Sequence, residues 1–86
     1  MQNQFIIVSR NIHEDIKTKV CDNFMDACAE QMAMLVGAPA ELVKTMLKES
    51  DILQTKENLE RYGRDRICND EEEAYIFLIS GRDKMR

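Results

Sequence analysis

A glycine and a proline two residues apart, Gly37 and Pro39, divide the apolar middle of this chain in two. Glycine adopts the left-handed backbone conformation that often ends a helix, and proline is tolerated in the first turn of the next helix. The sequence therefore predicts that one helix ends at Gly37 and another starts near Pro39. This corner restricts the chain to folds in which two consecutive helices meet at a tight turn.

A stripe of apolar residues precedes the corner. Its members recur every three or four residues, which is typical of one face of an amphipathic helix. They are Ile12, Ile16, Val20, Phe24, Cys28, Met32 and Leu35. Asn11 with Glu14 three residues later is typical of a capping box at a helix N-terminus. We therefore expect one long helix to begin near Ile12 and to end at the corner.

Short apolar segments predict a strand near each end of the chain. Phe5 to Val8 is apolar and rich in β-branched residues, which favours a strand. The segment AYIFLIS, residues 74–80, is aromatic and apolar at almost every position and predicts a second strand. Because periodicity does not separate a short buried strand from a turn of buried helix, a helical alternative stays open for residues 74–80.

Two further helices are expected between the corner and the second strand. Apolar residues at helical spacing predict one over residues 39–48, and another from about Ser50 to Gly63. The expected fold class is α+β but mostly α: a short N-terminal strand, three helices with a corner at Gly37–Pro39, and a short C-terminal strand. Residues 1–86 are expected to form a single domain with a frayed basic tail over residues 82–86.

Charge and cysteine content favour a protein of the cytoplasm. The net charge of -4 opposes non-specific attraction to nucleic acid or to an anionic membrane. No stretch approaches the roughly 20 apolar residues that a membrane helix needs, and the N-terminus lacks the pattern of a signal peptide. The three cysteines contain no Cys-x-x-Cys pair, so neither a disulfide framework nor a zinc site is indicated.

Catalytic, cofactor and metal sites are not predicted. Cys21 and the only histidine, His13, would lie too far apart along one helix face to act as nucleophile and base. The acidic run Asp70–Glu73 lacks the spacing and the glycine of a calcium loop. The three glycines are too far apart for a phosphate-binding loop. We therefore expect a non-catalytic protein that acts on no small-molecule substrate.

The corner resembles the helix-turn-helix family of DNA-binding regulators. The residues that carry the resemblance are Met32, Ala33, Gly37, Ala38, Val43 and Met46. In that family the second helix enters the major groove, which would direct Ala40, Glu41, Lys44, Thr45 and Lys48 towards DNA. Phosphate contacts would come from Arg61, Arg64 and Arg66, and from the tail residues Arg82, Lys84 and Arg86.

The same corner is similar to the small three-helix ubiquitin-associated fold, including the version at the start of elongation factor Ts. The shared features are the turn Gly37–Pro39 and the apolar residues Leu42, Val43, Met46 and Leu47 that follow it. That resemblance implies a protein partner that binds at the apolar turn. An ordinary helix-helix corner without a binding role stays open beside both resemblances.

The predicted strands suggest a protein interface. Both are apolar on two faces while the helices can cover only one, so Phe5, Ile7, Tyr75 and Phe77 are expected to meet a second copy of the chain or a target protein. Met25 and Met34 fall outside the helical stripe and are expected at the same kind of interface.

Two hypotheses follow from these patterns. The first is a homodimeric transcription regulator that binds duplex DNA through its second helix. The second is an acidic inhibitor or adaptor of phage or plasmid type that docks on a partner protein. The arrangement of charge distinguishes them. A face shared by Lys44, Lys48, Arg61, Arg64 and Arg66 and clear of Asp70–Glu73 favours DNA, whereas an acidic loop that overhangs this face favours a protein partner.

Overall fold

The computed structural model describes residues 4–79, which form a four-stranded sheet and three helices. The strands are β1 (Phe5–Asn11), β2 (Ile16–Cys21), β3 (Arg64–Cys68) and β4 (Glu72–Leu78), and the helices are α1 (Phe24–Val36), α2 (Ala40–Met46) and α3 (Glu49–Tyr62). The strand order is β2-β1-β4-β3, and all neighbouring strands are antiparallel. α1 packs across all four strands, α3 packs against β3 and β4, and α2 packs against α1.

The core lies between the sheet and the helices. Ile7 and Ile76 face each other on the two central strands and are completely buried. They pack with Ala27 of α1 and Leu59 of α3. Because one core contains residues from both long helices, α1 and α3 cover the same face of the sheet.

The predicted helix end at Gly37 is confirmed. Gly37 has a φ of 73°, and its N–H donates a hydrogen bond of 2.8 Å to the carbonyl of Ala33. Gly63 ends α3 in the same way, with a φ of 77°. Glycine adopts this left-handed backbone without the clash that a Cβ atom would introduce.

The predicted start of the first helix near Ile12 is wrong. Asn11 is the last residue of β1, and its side-chain oxygen accepts hydrogen bonds from the backbone N–H groups of His13, at 2.8 Å, and Asp15, at 3.0 Å. It therefore stabilises the turn of a β-hairpin. The helix begins instead at Phe24, where Asn23 caps it by accepting a hydrogen bond of 3.1 Å from the N–H of Asp26.

Residues 16–21 form a strand although their apolar members also fit the helical stripe. Ile16 and Val20 are four residues apart, and four is a multiple of the two-residue period of a strand as well as close to one helical turn. Strand pairing with β1 decides between the two, because it satisfies the backbone of both strands.

The expectation of a mostly α fold with only terminal strands is also wrong. Helices hold 45% of the described residues and strands 33%, and two of the four strands, β2 and β3, were not predicted. The segment AYIFLIS is a strand, since residues 74–78 belong to β4, while Ser80 lies outside the described residues. The tail over residues 82–86 lies outside them too. Among the helices of residues 4–79, each is too short or too polar to cross a membrane.

Candidate protein interface

One face of the sheet is left uncovered by the described helices. Along β1 and β4 the buried residues alternate with residues that point away from the helices, and strand pairing aligns the latter across all four strands. We call this surface the open face. It consists of Ile6, Val8, Arg10, Ile16, Thr18, Val20, Arg64, Arg66, Cys68, Glu73, Tyr75 and Phe77.

The open face changes in chemistry from one edge to the other. β2 presents aliphatic side chains, and those of Ile16 and Val20 are 64% and 58% exposed. β1 and β4 contribute further apolar side chains in the centre. β3, at the opposite edge, presents Arg64 and Arg66, both exposed. An apolar surface bordered by charge along one side is typical of a binding site for another molecule.

An aromatic pair occupies the centre of the open face. The rings of Tyr75 and Phe77 stack with their centroids 5.6 Å apart and an angle of 11° between their planes. The guanidinium of Arg66 lies over the Tyr75 ring, 5.9 Å from its centroid. Phe77 and Arg66 therefore both lie against the Tyr75 ring.

Two arginines converge on Glu73 at one end of the open face. Arg10 donates to one carboxylate oxygen at 2.6 and 3.0 Å, and Arg66 donates to the other at 3.0 Å. The hydrogen bond from Arg66, followed by that from Arg10, holds the pKa of the Glu73 carboxyl below its ordinary value. The same carboxylate raises the pKa of Arg66. The acidic turn at residues 69–72 borders this end of the face.

The interface residues predicted from the sequence are divided by the fold. Tyr75 and Phe77 lie on the open face. Phe5 and Ile7 do not, because they point towards the helices and are buried in the core. Met34 packs against that core, and Met25 is half-buried on α1. Phe5 and Ile7 are therefore core residues in this fold, whereas an interface role for Met25 and Met34 stays a prediction.

The residues predicted to bind DNA lie on two different sides of the molecule. Ala40, Lys44 and Thr45 are on α2, which packs against α1 and contacts none of the four strands. Lys44 forms an ion pair with Asp26 of α1, and the Thr45 hydroxyl donates to the carbonyl of Leu42. Lys48 is exposed just before α3.

The basic residues beyond α2 are divided in the same way. Arg61, near the end of α3, forms an ion pair with Glu57 at 2.9 Å. Arg64 and Arg66 are on the open face, across the sheet from α2. Arg82, Lys84 and Arg86 lie outside the described residues. Among residues 4–79, the fold therefore does not gather the predicted DNA contacts on one surface.

A buried polar cluster lies on the helix side of the sheet. The Asp65 carboxylate is 5% exposed and accepts hydrogen bonds from Asn58 at 2.6 Å, Gln31 at 3.0 Å and Thr55 at 3.5 Å. These residues line a cleft of about 240 Å³ between α1, α3 and β3. Burial raises the pKa of the nearby Cys28 thiol to about 12, which makes it a poor nucleophile. The cluster connects the three elements through hydrogen bonds.

The sequence prediction omitted several residues of the open face. Ile6 and Val8 alternate with the core residues of β1, so their position follows once Phe5 and Ile7 are known to be buried. Val20 was placed on a helix. The alternation of Ile16, Thr18 and Val20 with Lys17 and Lys19 is the signal that could have revealed β2.

Among residues 4–79, no group of three or more His, Cys, Asp or Glu side chains is arranged to hold a metal ion. Comparison of the chain with family models, with curated proteins and with solved structures gives no match.

Proposed function

We propose that this chain is a non-catalytic protein-binding protein and that the open face is its binding surface. The observation that carries the proposal is the apolar area that β2, β1 and β4 present on the side of the sheet without helices, from Val20 through Ile6 and Val8 to Tyr75 and Phe77. A group of exposed apolar side chains has a lower free energy in contact with another apolar surface than in contact with water. Binding to a partner protein without catalysis is the role of an inhibitor or adaptor. We propose that this protein acts in the cytoplasm.

Two features favour a protein over a nucleic acid as the partner. The chain as a whole carries a net charge of -4, which opposes the approach of a phosphate backbone even though three arginines lie on the open face. Tyr75, in the centre of the face, already stacks with Phe77 and contacts Arg66, and β2 presents the exposed aliphatic side chains Ile16 and Val20. Aliphatic side chains match a protein surface better than they match phosphates and bases.

Photo-crosslinking in the cells that naturally express the chain tests this proposal. A photoreactive phenylalanine analogue placed at Thr18 samples the open face, because Thr18 is exposed on β2. The same analogue placed at Leu42 on α2, which is also exposed, samples the helix layer as a matched control. We expect one protein adduct at Thr18 that is absent at Leu42 and that is lost when Phe77→Asp is added.

The outcomes separate the alternatives. An adduct with the mass of two chains would show that the occupant is a second copy. Adducts at Leu42 alone, or none at either position, would overturn the proposal. Circular dichroism of the Phe77→Asp variant establishes that loss of the adduct does not result from unfolding.

A further inference from the structure

We infer that the partner presents an apolar strip bordered on one side by carboxylates, and that Arg64 binds one of these carboxylates. The inference rests on the proposed function and specifies the chemistry of the partner. It is carried by the placement of charge on the open face: the apolar side chains of β2, β1 and β4 are followed by Arg64 and Arg66 on β3, and Arg10 and Glu73 occupy one end of the face.

The open face is the basic side of an acidic chain. It contains Arg10, Arg64 and Arg66 against the single acidic residue Glu73, whereas the whole chain has 12 basic and 16 acidic residues. Glu73 is shared between Arg10 and Arg66, so the three residues together keep a positive charge. A partner surface with negative charge at the corresponding position is electrostatically complementary.

Of the three arginines on the open face, Arg64 is the one that is available to bind a partner. It forms no ion pair with any residue between 4 and 79, and it lies at the start of β3, away from the acidic turn at residues 69–72. Strand pairing places Arg64 opposite Phe77. A carboxylate bound to Arg64 would therefore sit beside the aromatic pair, where the apolar contact excludes water and strengthens the ion pair.

A second copy of the chain fits this face less well. A two-fold contact between identical patches brings the same surface of both copies together. Two open faces in contact would oppose basic surfaces, each with more arginine than glutamate. Like charges that meet in an interface oppose binding. The charge therefore favours a different protein over self-association.

A peptide-display selection tests the inference without knowledge of the natural partner. The probe is a library of random peptides presented as helices, and the bait is the full chain. Peptides that also bind the Phe77→Asp or Val20→Asp variant are removed, so that the remaining peptides depend on the open face. We expect selected peptides with at least twofold more Asp and Glu than the starting library. We further expect that Arg64→Glu weakens them at least tenfold, whereas Lys56→Glu, the same charge change on α3, alters binding less than twofold.

The outcomes distinguish failure of this inference from failure of the proposed function. Selected peptides that bind the open face but lack acidic enrichment, or that keep their affinity for Arg64→Glu, would overturn the inference and leave the proposed function in place. If no peptide depends on Phe77 or Val20, both are overturned. Two surface variants of the open face are used so that a folding defect in one of them does not decide the result.

Discussion

The side-chain amide of Gln31 donates a hydrogen bond of 3.0 Å to the carboxylate of Asp65 and so joins α1 to the beginning of β3. The same amide donates to the carbonyl of Ala74 on β4 at 3.2 Å. Asn58 and Thr55 attach α3 to the same carboxylate. One buried acid thereby holds both long helices on the sheet face opposite to the proposed interface.

Removal of that acid is expected to destabilise the fold. Asp65→Ala leaves the donors of Gln31, Asn58 and Thr55 buried without their acceptor, and a buried unsatisfied donor costs about 1–3 kcal/mol. We expect the free energy of unfolding, measured by urea denaturation, to fall by about 2–4 kcal/mol. Asp51→Ala, which removes an exposed acid from the first turn of α3 at the rim of the same cleft, should lower it by less than about 1 kcal/mol. Equal effects of the two substitutions would contradict a structural role for Asp65.

The turn between β1 and β2 contains a residue in an unfavourable backbone conformation. Glu14 has a φ of 64°, in the left-handed region that glycine adopts without steric cost. We expect Glu14→Gly to raise the free energy of unfolding by up to about 1 kcal/mol, and Glu14→Ala to give no such gain because alanine keeps the Cβ atom. Thermal denaturation measures both, and a gain shared by the two variants would point to the lost charge instead.

Protonation of Glu73 is expected to weaken the arginine cluster in acid. The pKa of Glu73 is lower in the folded chain than its ordinary value of 4.5, so the folded state binds its proton less readily than the unfolded state. The resulting stabilisation is present above pH 4.5 and is lost as the pH falls through the folded pKa. NMR titration of the Glu73 carboxyl should give a midpoint below that of a model peptide. In Arg66→Met the midpoint should move upwards, and an unchanged midpoint would show that Arg66 does not set it.

The three cysteines are expected to differ in reactivity. Cys68 is exposed, whereas Cys21 and Cys28 are buried. Burial raises the pKa of Cys21 and raises that of Cys28 to about 12, so little of either thiol is ionised at pH 8. Brief alkylation at pH 8 followed by mass spectrometry should modify Cys68 first and Cys28 last. In urea the chain is unfolded, so all three cysteines should react at similar rates. Early modification of Cys28 in the folded chain would contradict its burial on α1.

Duplex DNA provides the test between the two hypotheses drawn from the sequence. Because Lys44 is paired with Asp26 and the arginines of β3 lie across the sheet, we expect no change in the anisotropy of a labelled random duplex at low salt. Binding that falls steeply with salt and is lost in Lys44→Ala with Lys48→Ala would support the helix-turn-helix hypothesis instead.

The elements that depend on local residues were predictable from the sequence. The corner at Gly37 follows from the backbone freedom of glycine and the missing N–H of proline, and α2, α3, β1 and β4 lie close to their predicted positions. The strands β2 and β3 were not predictable in this way. The apolar residues of β2 fit the periods of a helix and a strand alike, and β3 carries Arg64, Asp65 and Arg66 in a row.

The tertiary structure alone decided which residues form the candidate site. The sequence predicts that strands apolar on two faces contact a partner on the face that the helices do not cover, and it predicts Tyr75 and Phe77 as part of that contact. Which neighbours join them depends on the pairing of residues as distant in the chain as Ile6 and Phe77. Backbone hydrogen bonds between distant strands set that register, and a one-residue shift would turn every side chain to the opposite face. Local patterns specify turns and helix ends, whereas strand pairing decides which faces are buried and which remain open.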